Sequence, residues 1–515
     1  MKPLRIFIAI GLLSLGIVAQ SRAEPHVKDE LLIKFRKNTS RSKALEVGNK
    51  LGFVQLETLG ETGWQRVRIV NGKEPKKAAA DSIRFESDIE YAQPNFYYRL
   101  LATPNDPQWG TAGMYGLPKI SAPAAWDLST GSSTVVVANI DSGMRYTHED
   151  LAANMWTNPG EIQGNGVDDD NNGFADDYYG YDFFFNDPDP LDEHGHGTHT
   201  GGTIGAVGNN ALGVVGVNWN VRIMAIKIYN NTGLGTTSAM LVNAYNYIRT
   251  MKNRGINIRV TNNSYAGCDE ACGYDQATKD ALDAMGNAGI LNVFAAGNDG
   301  WNNDTVAAPA YPGAYTSSSI LSVASSTSTD TRSSFSNYGS ISVDLAAPGS
   351  GILSTTRTSD SSYGGSSGTS MAAPHVTGAA ALLAAYSPTL SDISLKATLM
   401  NTVDPLTGWE ATPIKTNGRL NVFNALQNQT VCLLNISQTS FTISRKGGYI
   451  DIAVTSGTNC DHPVTSDSRW ARIQSGDVRS GSGTVRVYVN PSYGLLRTAQ
   501  LNFGGQTVSI TQGRL

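Results

Sequence analysis

The chain reads as an α/β protein: a parallel sheet with helices on both faces, preceded by a small α+β module and followed by an all-β sandwich. Three observations predict this. From about Trp109 to Leu426, apolar strand-like runs alternate with Ala-rich helical runs, the pattern of a parallel sheet with crossover helices. Before Leu100, short strands and short helical patterns share a mildly basic segment. After about Gln427 helical patterns stop, and short β-branched runs recur between Gly and Ser clusters.

The first residues pair Lys2 and Arg5 with an apolar run from Ile6 to Val18, followed by Ser21-Arg22-Ala23. This pattern predicts a secretory signal over 1–23, released after Ala23, because the run falls short of the roughly 20 apolar residues that span a bilayer. The expected location is therefore outside the cell. Residues 24–102 form the next segment, with strand-like Leu31 to Phe35 and Trp64 to Val70 and helical patterns around Ser42 to Leu51 and Pro75 to Phe85. It closes on the breaker-rich Thr103-Pro104-Asn105-Asp106-Pro107.

Residues 103–427 hold the strand candidates Thr134 to Ile140, Val221 to Ile228, Ile258 to Asn262, Leu291 to Ala295 and Ile320 to Ala324. Chemistry in such sheets collects at the carboxyl ends of the strands. Residues 428–515 carry the sandwich strands, from Phe441 to Ser444 through Thr507 to Thr511.

Beyond Leu100 the chain has 22 basic and 33 acidic residues, about −11 in formal charge. That balance argues against nucleic acid and anionic membrane as partners and favours cations. Four cysteines suit an oxidising compartment and allow three pairings. Their spacing favours two local bridges, Cys268 to Cys272 and Cys432 to Cys460.

Three motifs carry chemistry. An apolar strand ends at Asp141-Ser142-Gly143, where a carboxylate among backbone N–H donors stays ionised and can hold a histidine in one tautomer. His194-Gly195-His196-Gly197-Thr198-His199 sets three histidines among glycines, which could chelate a transition metal, though no further ligand pattern accompanies them, or let a histidine approach a nucleophile closely. Gly368-Thr369-Ser370-Met371-Ala372-Ala373-Pro374 runs into an Ala-rich helix, so Ser370 stands where partial positive charge favours a developing anion. Each motif has a structural explanation on its own, as a turn, a buried histidine or an N-cap.

Together, in the order Asp, His, Ser, they resemble the subtilisin family, the subtilases, over about Trp109 to Leu426. The resemblance implies a secreted serine endopeptidase that cleaves protein and peptide substrates through an acyl-enzyme on Ser370. It implies that Asp141 orients the histidine, that His196 acts as base and then acid, and that His194, His199 and His375 stand outside the reaction. By the same resemblance Asn298, in Val293-Phe294-Ala295-Ala296-Gly297-Asn298, donates to the oxyanion beside the Ser370 N–H. Gly233-Leu234-Gly235 resembles the segment that pairs with extended substrate. Ser264-Tyr265-Ala266-Gly267 and Ala295-Ala296-Gly297 resemble the two walls of the primary specificity pocket, implying a broad, apolar preference.

Asp168, Asp170, Asn172 and Asp176 place oxygen side chains at alternate positions around Gly173, resembling an EF-hand-like calcium loop in which Tyr179 stands where the terminal Glu would be. Family matching alone adds a second calcium site at Asp150 and the Asn210 to Val214 loop, with Gln108 as a further ligand. The segment 24–102 resembles the subtilase propeptide, a folding aid and inhibitor removed near Leu100 to Thr103. The C-terminal part resembles β-sandwich modules of secreted bacterial enzymes, although Cys460-Asp461-His462 stands where Cys-x-Trp is common. Two readings stay open for it: a surface or glycan ligand, or a stabilising role. A monomer is the expected state.

Overall fold

The structure, a computed structural model, describes residues 26–97, 103–266, 274–474, 478–494, 496–504 and 506–513. The expected signal, residues 100–102 of the maturation stretch, Gly267 and the Cys268 to Cys272 bridge lie outside these residues. The chain divides into two compact units, residues 1–100 and 101–515.

The first unit contains β1 (His26–Phe35), α1 (Arg41–Leu51), β2 (Phe53–Leu59), β3 (Trp64–Ile69), α2 (Pro75–Phe85) and β4 (Ile89–Phe96). Its strands form an antiparallel sheet in the order β2-β3-β1-β4. Ser40 caps α1 by accepting from the Lys43 N–H, and Gly52 ends the helix in the left-handed conformation that glycine adopts without penalty. Glu74 caps α2 ahead of Pro75. Alternate residues Leu31, Ile33, Val67 and Ile69 bury against Val47, Ala78 and Ala79 of the helices.

The second unit begins with the short helices α3 (Gly116–Lys119) and α4 (Ala122–Trp126). It continues through β5 (Gly131–Asp141), β6 (Gly180–Asp182), α5 (His196–Gly205), β7 (Asn220–Lys227), α6 (Ser238–Asn253), β8 (Ile258–Asn263), α7 (Gln276–Asn287), β9 (Leu291–Ala295), β10 (Ile320–Ser326) and β11 (Leu345–Pro348). A hairpin of β12 (Ile352–Thr355) and β13 (Tyr363–Ser366) leads into α8 (Thr369–Tyr386), then α9 (Asp392–Asn401), β14 (Asp404–Pro405), β15 (Gly418–Arg419) and α10 (Val422–Gln427). Nine strands form one sheet in the order β14-β15-β11-β10-β9-β8-β5-β7-β6. All neighbours in it are parallel except β14 with β15.

Because the sheet is covered on both faces, its strands are apolar on both, and the two-residue period sorts them between two cores. Val135 and Val137 of β5 pack with α8 residues such as Ala379 and Leu383, whereas Val136, Ala138 and Ile140 pack with Tyr245 and Ile248 of α6. The same parity assigns Asn139 and Asp141 to the α5 and α8 side. Helix α8 is buried almost all round, as its run of alanines permits.

The C-terminal sandwich stacks β16 (Asn435–Ile436), β18 (Gly448–Thr455), β20 (Ala471–Ile473) and β22 (Gly483–Val489) against β17 (Ser440–Ser444), β19 (Asp461–Ser466), β21 (Val478–Ser480), β23 (Arg497–Phe503) and β24 (Gln506–Gly513). Ile452, Val487, Leu501, Phe503 and Ile510 fill its core. The sandwich is tied to the sheet domain by a buried ion pair, Lys396 of α9 to Asp461 of β19 at 2.8 Å, with 3% and 5% of the two side chains exposed. Beside it, the Cys432 N–H donates to Ser394 Oγ at 3.0 Å and Asn459 Nδ2 donates to Asn401 Oδ1 at 2.7 Å. The expected bridge between Cys432 and Cys460 is present.

Candidate active site

Four chain segments meet at the carboxyl edge of the sheet. Strand β5 ends in Asp141, which is 2% exposed, and its Oδ1 accepts from His196 Nδ1 at 2.7 Å and from the Ser142 N–H at 2.8 Å. The Oδ2 atom accepts from Thr200 Oγ1 at 3.2 Å. With Nδ1 donating, the His196 tautomer carries its lone pair on Nε2. Burial alone pulls the His196 pKa down, but the adjacent Asp141 charge and its hydrogen bond outweigh burial, so the value lies above that of an ordinary histidine.

Ser370 is the second residue of α8. Its Oγ donates to the Ser264 carbonyl at 3.1 Å, and Ser264 Oγ donates back to the Ser370 carbonyl at 2.9 Å. The reciprocal pair has a backbone cause. Pro374 stands four residues after Ser370 inside α8 and has no N–H to give that carbonyl, so a side-chain hydroxyl takes the place of the missing helical bond.

Asn298 follows β9, and its Oδ1 accepts from the Thr369 N–H at 2.8 Å and Thr369 Oγ1 at 2.9 Å. Those bonds orient the amide so that Nδ2 is turned to the other side. A Cβ placed on Gly368 would lie 3.7 Å from Asn298 Nδ2 and 3.5 Å from the Ser370 nitrogen, so both donors border one small space.

The expected pocket walls continue two adjacent parallel strands, Ser264 to Ala266 after β8 and Ala296 to Gly297 after β9. Tyr265 is turned inward, with its hydroxyl donating to Asn263 Oδ1 at 2.8 Å and standing 2.6 Å from the Tyr245 hydroxyl. Gly297 has φ 102°, and a Cβ there would sit 2.4 Å from Asn337 Nδ2, so the wall requires glycine. Gly233 and Gly235 also have positive φ; a Cβ on Gly233 would lie 3.3 Å from His194 Nε2, which puts the Gly233 to Gly235 segment beside the histidine motif. Leu234 between them is 70% exposed. His199 and His375 are buried, each bonded to a carbonyl, and burial lowers both to a pKa of about 4.

The acidic loop gathers Glu161, Asp168 and Asp170, whose ligand atoms lie within 4.8 Å of one another. Sequence reasoning missed Glu161, which accepts from the N–H groups of Asp169, Asp170 and Asp176. Of the expected ligands, Asp168 and Asp170 are in this group. Asn172 turns its Nδ2 to Asp177 at 2.9 Å, while Asp176 accepts from the N–H groups of Gly164, Asn165 and Gly166. Buried Asp177, also unforeseen, accepts from Tyr247 Oη at 2.6 Å and is pushed up to about 6 by burial.

At the second expected position Asp150 is fully buried, accepts from Asn210 Nδ2 at 2.8 Å and from the Val214 N–H at 2.9 Å, and is pushed up to about 7 by burial with help from the Asp106 charge. Asp106, another omission, accepts from the Asn209 N–H at 2.8 Å through one oxygen, while its other buried oxygen has no partner. Gln108 donates its backbone N–H to the Gly213 carbonyl at 2.8 Å. Two buried carboxylates, of which Asp106 has an unpartnered oxygen, fit a cation.

Comparison with known proteins agrees with the fold. Residues 132–430 match the Subtilase family and residues 14–95 the Fervidolysin N-terminal prodomain. The chain is 38% identical to thermitase of Thermoactinomyces vulgaris, over 63% of this chain and 99% of that protein. It is 35% identical to the thermophilic serine proteinase of Bacillus sp. (strain AK1), over 66% and 73%, and 31% identical to the extracellular basic protease of Dichelobacter nodosus, over 70% and 63%. Among solved structures, a protease of Pseudoalteromonas arctica PAMC 21717 shares 30% identity over 63% of this chain and 99% of that one, with a TM-score of 0.48. The two family matches and the thermitase relative define a serine-type endopeptidase carrying a prodomain. The chain belongs to the subtilase family.

Proposed function

We propose that this endopeptidase is secreted, cleaves proteins and peptides with a broad apolar preference, and is matured by removal of residues 24–102, which inhibit it until then. The hydrogen bond from His196 to buried Asp141, at 2.7 Å, carries the reading. In the proposed reaction the Ser370 hydroxyl leaves its bond to the Ser264 carbonyl and gives its proton to His196 Nε2 as Oγ attacks the scissile carbonyl carbon. Asp141 stabilises the imidazolium. The carbonyl oxygen becomes an oxyanion between Asn298 Nδ2 and the Ser370 N–H; its collapse expels the amine, which takes the proton from His196. Water, deprotonated by the same nitrogen, then attacks the ester and releases Ser370.

The apolar preference is supported by the absence of charge on Ser264 to Ala266 and Ala295 to Gly297. Secretion is supported by the Dichelobacter nodosus relative, named as an extracellular protease, and by the oxidised Cys432 to Cys460 pair. No helix among the described residues is long and apolar enough to cross a membrane. Calcium is proposed as a structural ion, held by Glu161, Asp168 and Asp170 at one site and by Asp106, Asp150 and Asn210 at the other. Its chemistry there is to neutralise converging carboxylates. A surface or glycan ligand for the sandwich, and a monomeric state, complete the reading.

The test is hydrolysis of casein and of a mixed-sequence peptide library by secreted protein with and without Ser370→Ala. The substitution is expected to reduce turnover by a factor on the order of a million, a magnitude carried over from subtilisin, with the fold intact. Full activity in the variant would exclude Ser370 as nucleophile.

A further inference from the structure

We propose that Asp192 is a positioning residue for the reaction: it clamps the first turn of α5 to the end of β5 and thereby holds His196 on Asp141. The proposal rests on the roles given above to Asp141 and His196. An N-capping carboxylate ordinarily accepts one or two N–H groups from its own helix. Asp192, which is 5% exposed, receives five donors. Its Oδ1 accepts from the His194 N–H at 2.9 Å, the Gly195 N–H at 2.7 Å and Ser142 Oγ at 2.8 Å. Its Oδ2 accepts from the Thr198 N–H at 2.9 Å and Thr198 Oγ1 at 2.6 Å.

One of these donors comes from outside the 194–198 segment that leads into and begins α5. Ser142 is the residue after Asp141, and its Oγ accepts in turn from the Gly197 N–H at 2.9 Å. The residues on either side of His196 are thus both pinned, Gly195 directly to Asp192 and Gly197 through Ser142. The two elements already touch, since a Cβ on Gly197 would lie 2.1 Å from the Gly143 carbonyl oxygen and 3.0 Å from Asp141 Cβ. At such contact the clamp decides between a short Asp141 bond and a misaligned one, and misplacement of a catalytic group by about 1 Å can cost a factor of roughly a hundred.

The clamp also carries charge. The groups facing His196 are Asp141 and Asp192, His194 with its ring 6.2 Å away, His199 one turn along α5, and Arg357, whose side chain packs over Gly195. Glu193 is directed to Lys227 at 3.3 Å. After burial, which lowers it, and the Asp141 charge and bond, which raise it, the Asp192 charge raises the His196 pKa further.

Steady-state kinetics on an apolar peptide p-nitroanilide, using matured full-length enzyme with active sites counted by a fluorophosphonate, tests the clamp. Asp192→Asn is expected to lower kcat per titrated site by roughly tenfold to a hundredfold with KM nearly unchanged, and to move the acidic limb of kcat/KM to lower pH. Asp192→Glu keeps the charge, so kcat should fall with the limb in place. Ser142→Ala removes the link without altering charge and should behave as Asp192→Glu does. Parental kcat per site in Asp192→Asn or Ser142→Ala, or a loss explained wholly by fewer titratable sites, would overturn the proposal. Retained activity in a parallel Ser370→Ala sample would instead sink the catalytic reading beneath it.

Discussion

In the proposed reaction His196 acts only when Nε2 is unprotonated, and its pKa stands above the ordinary histidine value because Asp141 outweighs burial. Activity is therefore expected to disappear as pH falls through a value above about 6.5, the acidic limb of a kcat/KM profile being the measurement. A limb at or below the free-histidine value would contradict the assigned environment. Asn298→Ala removes one of two donors from the space beside Gly368. It should lower kcat by roughly a hundred- to a thousandfold with little change in KM, again a magnitude known from subtilisin. The sequence singled out both residues, His196 in a His/Gly-rich motif and Asn298 through the family resemblance, since an Asn after Gly is by itself a turn signal. Asp192, Asp106 and Glu161 were not legible there. Their meaning lies in partners such as Ser142, 50 residues away from Asp192, and Asn209, 103 away from Asp106, and no local pattern records such pairing.

At the scale of elements, the loops proposed to hold calcium make a testable difference. Asp150 has its folded pKa raised, to about 7, so without a cation the folded state holds a proton that the unfolded chain releases near the ordinary aspartate value of 3.8. Stability should then fall as pH rises through that window, and calcium should cancel the fall by replacing the proton. Melting of the Ser370→Ala protein, in calcium and in chelator, is expected to show a gap in Tm that widens from about pH 4 to pH 7. An equal Tm under both conditions at pH 7 would remove calcium from this fold. The long strands were legible because burial on both faces leaves an uninterrupted apolar run, as in Val135 to Ile140. Strands β6, β11 and β15 escaped notice because they span only Gly180–Asp182, Leu345–Pro348 and Gly418–Arg419, too short for any period to show. In the prodomain, β2 and β4 were missed because Glu, Gln and Pro interrupt them.

For the molecule as a whole, the junction at Lys396 and Asp461 makes the sandwich part of the enzyme's stability. Lys396 stays charged although burial opposes it, because Asp344 and Asp461 are close; burial likewise opposes the Asp461 charge, which Lys396 and Lys415 hold in place. Asp461→Asn would strand a buried ammonium and should cost about 3–5 kcal/mol in urea unfolding of the Ser370→Ala protein. Replacing both partners together, Lys396→Met with Asp461→Leu, should cost far less. The sequence marked Cys460-Asp461-His462 only as a departure from a common Cys-x-Trp pattern. It could not show that Asp461, the unconstrained middle residue of that triplet, answers a lysine 65 residues earlier.

The bridge beside that lysine bears on how the enzyme survives its own chemistry. Cys432 and Cys460 close a loop of sequence separation 28 that includes exposed Leu433 and Tyr449, side chains of the kind the proposed pocket accepts. A nick anywhere inside this loop leaves the two fragments covalently joined, with Asp461 still anchored to α9. Enzyme cut only within this loop should therefore run as one band on a denaturing gel until a reductant is added, and should keep its activity until then.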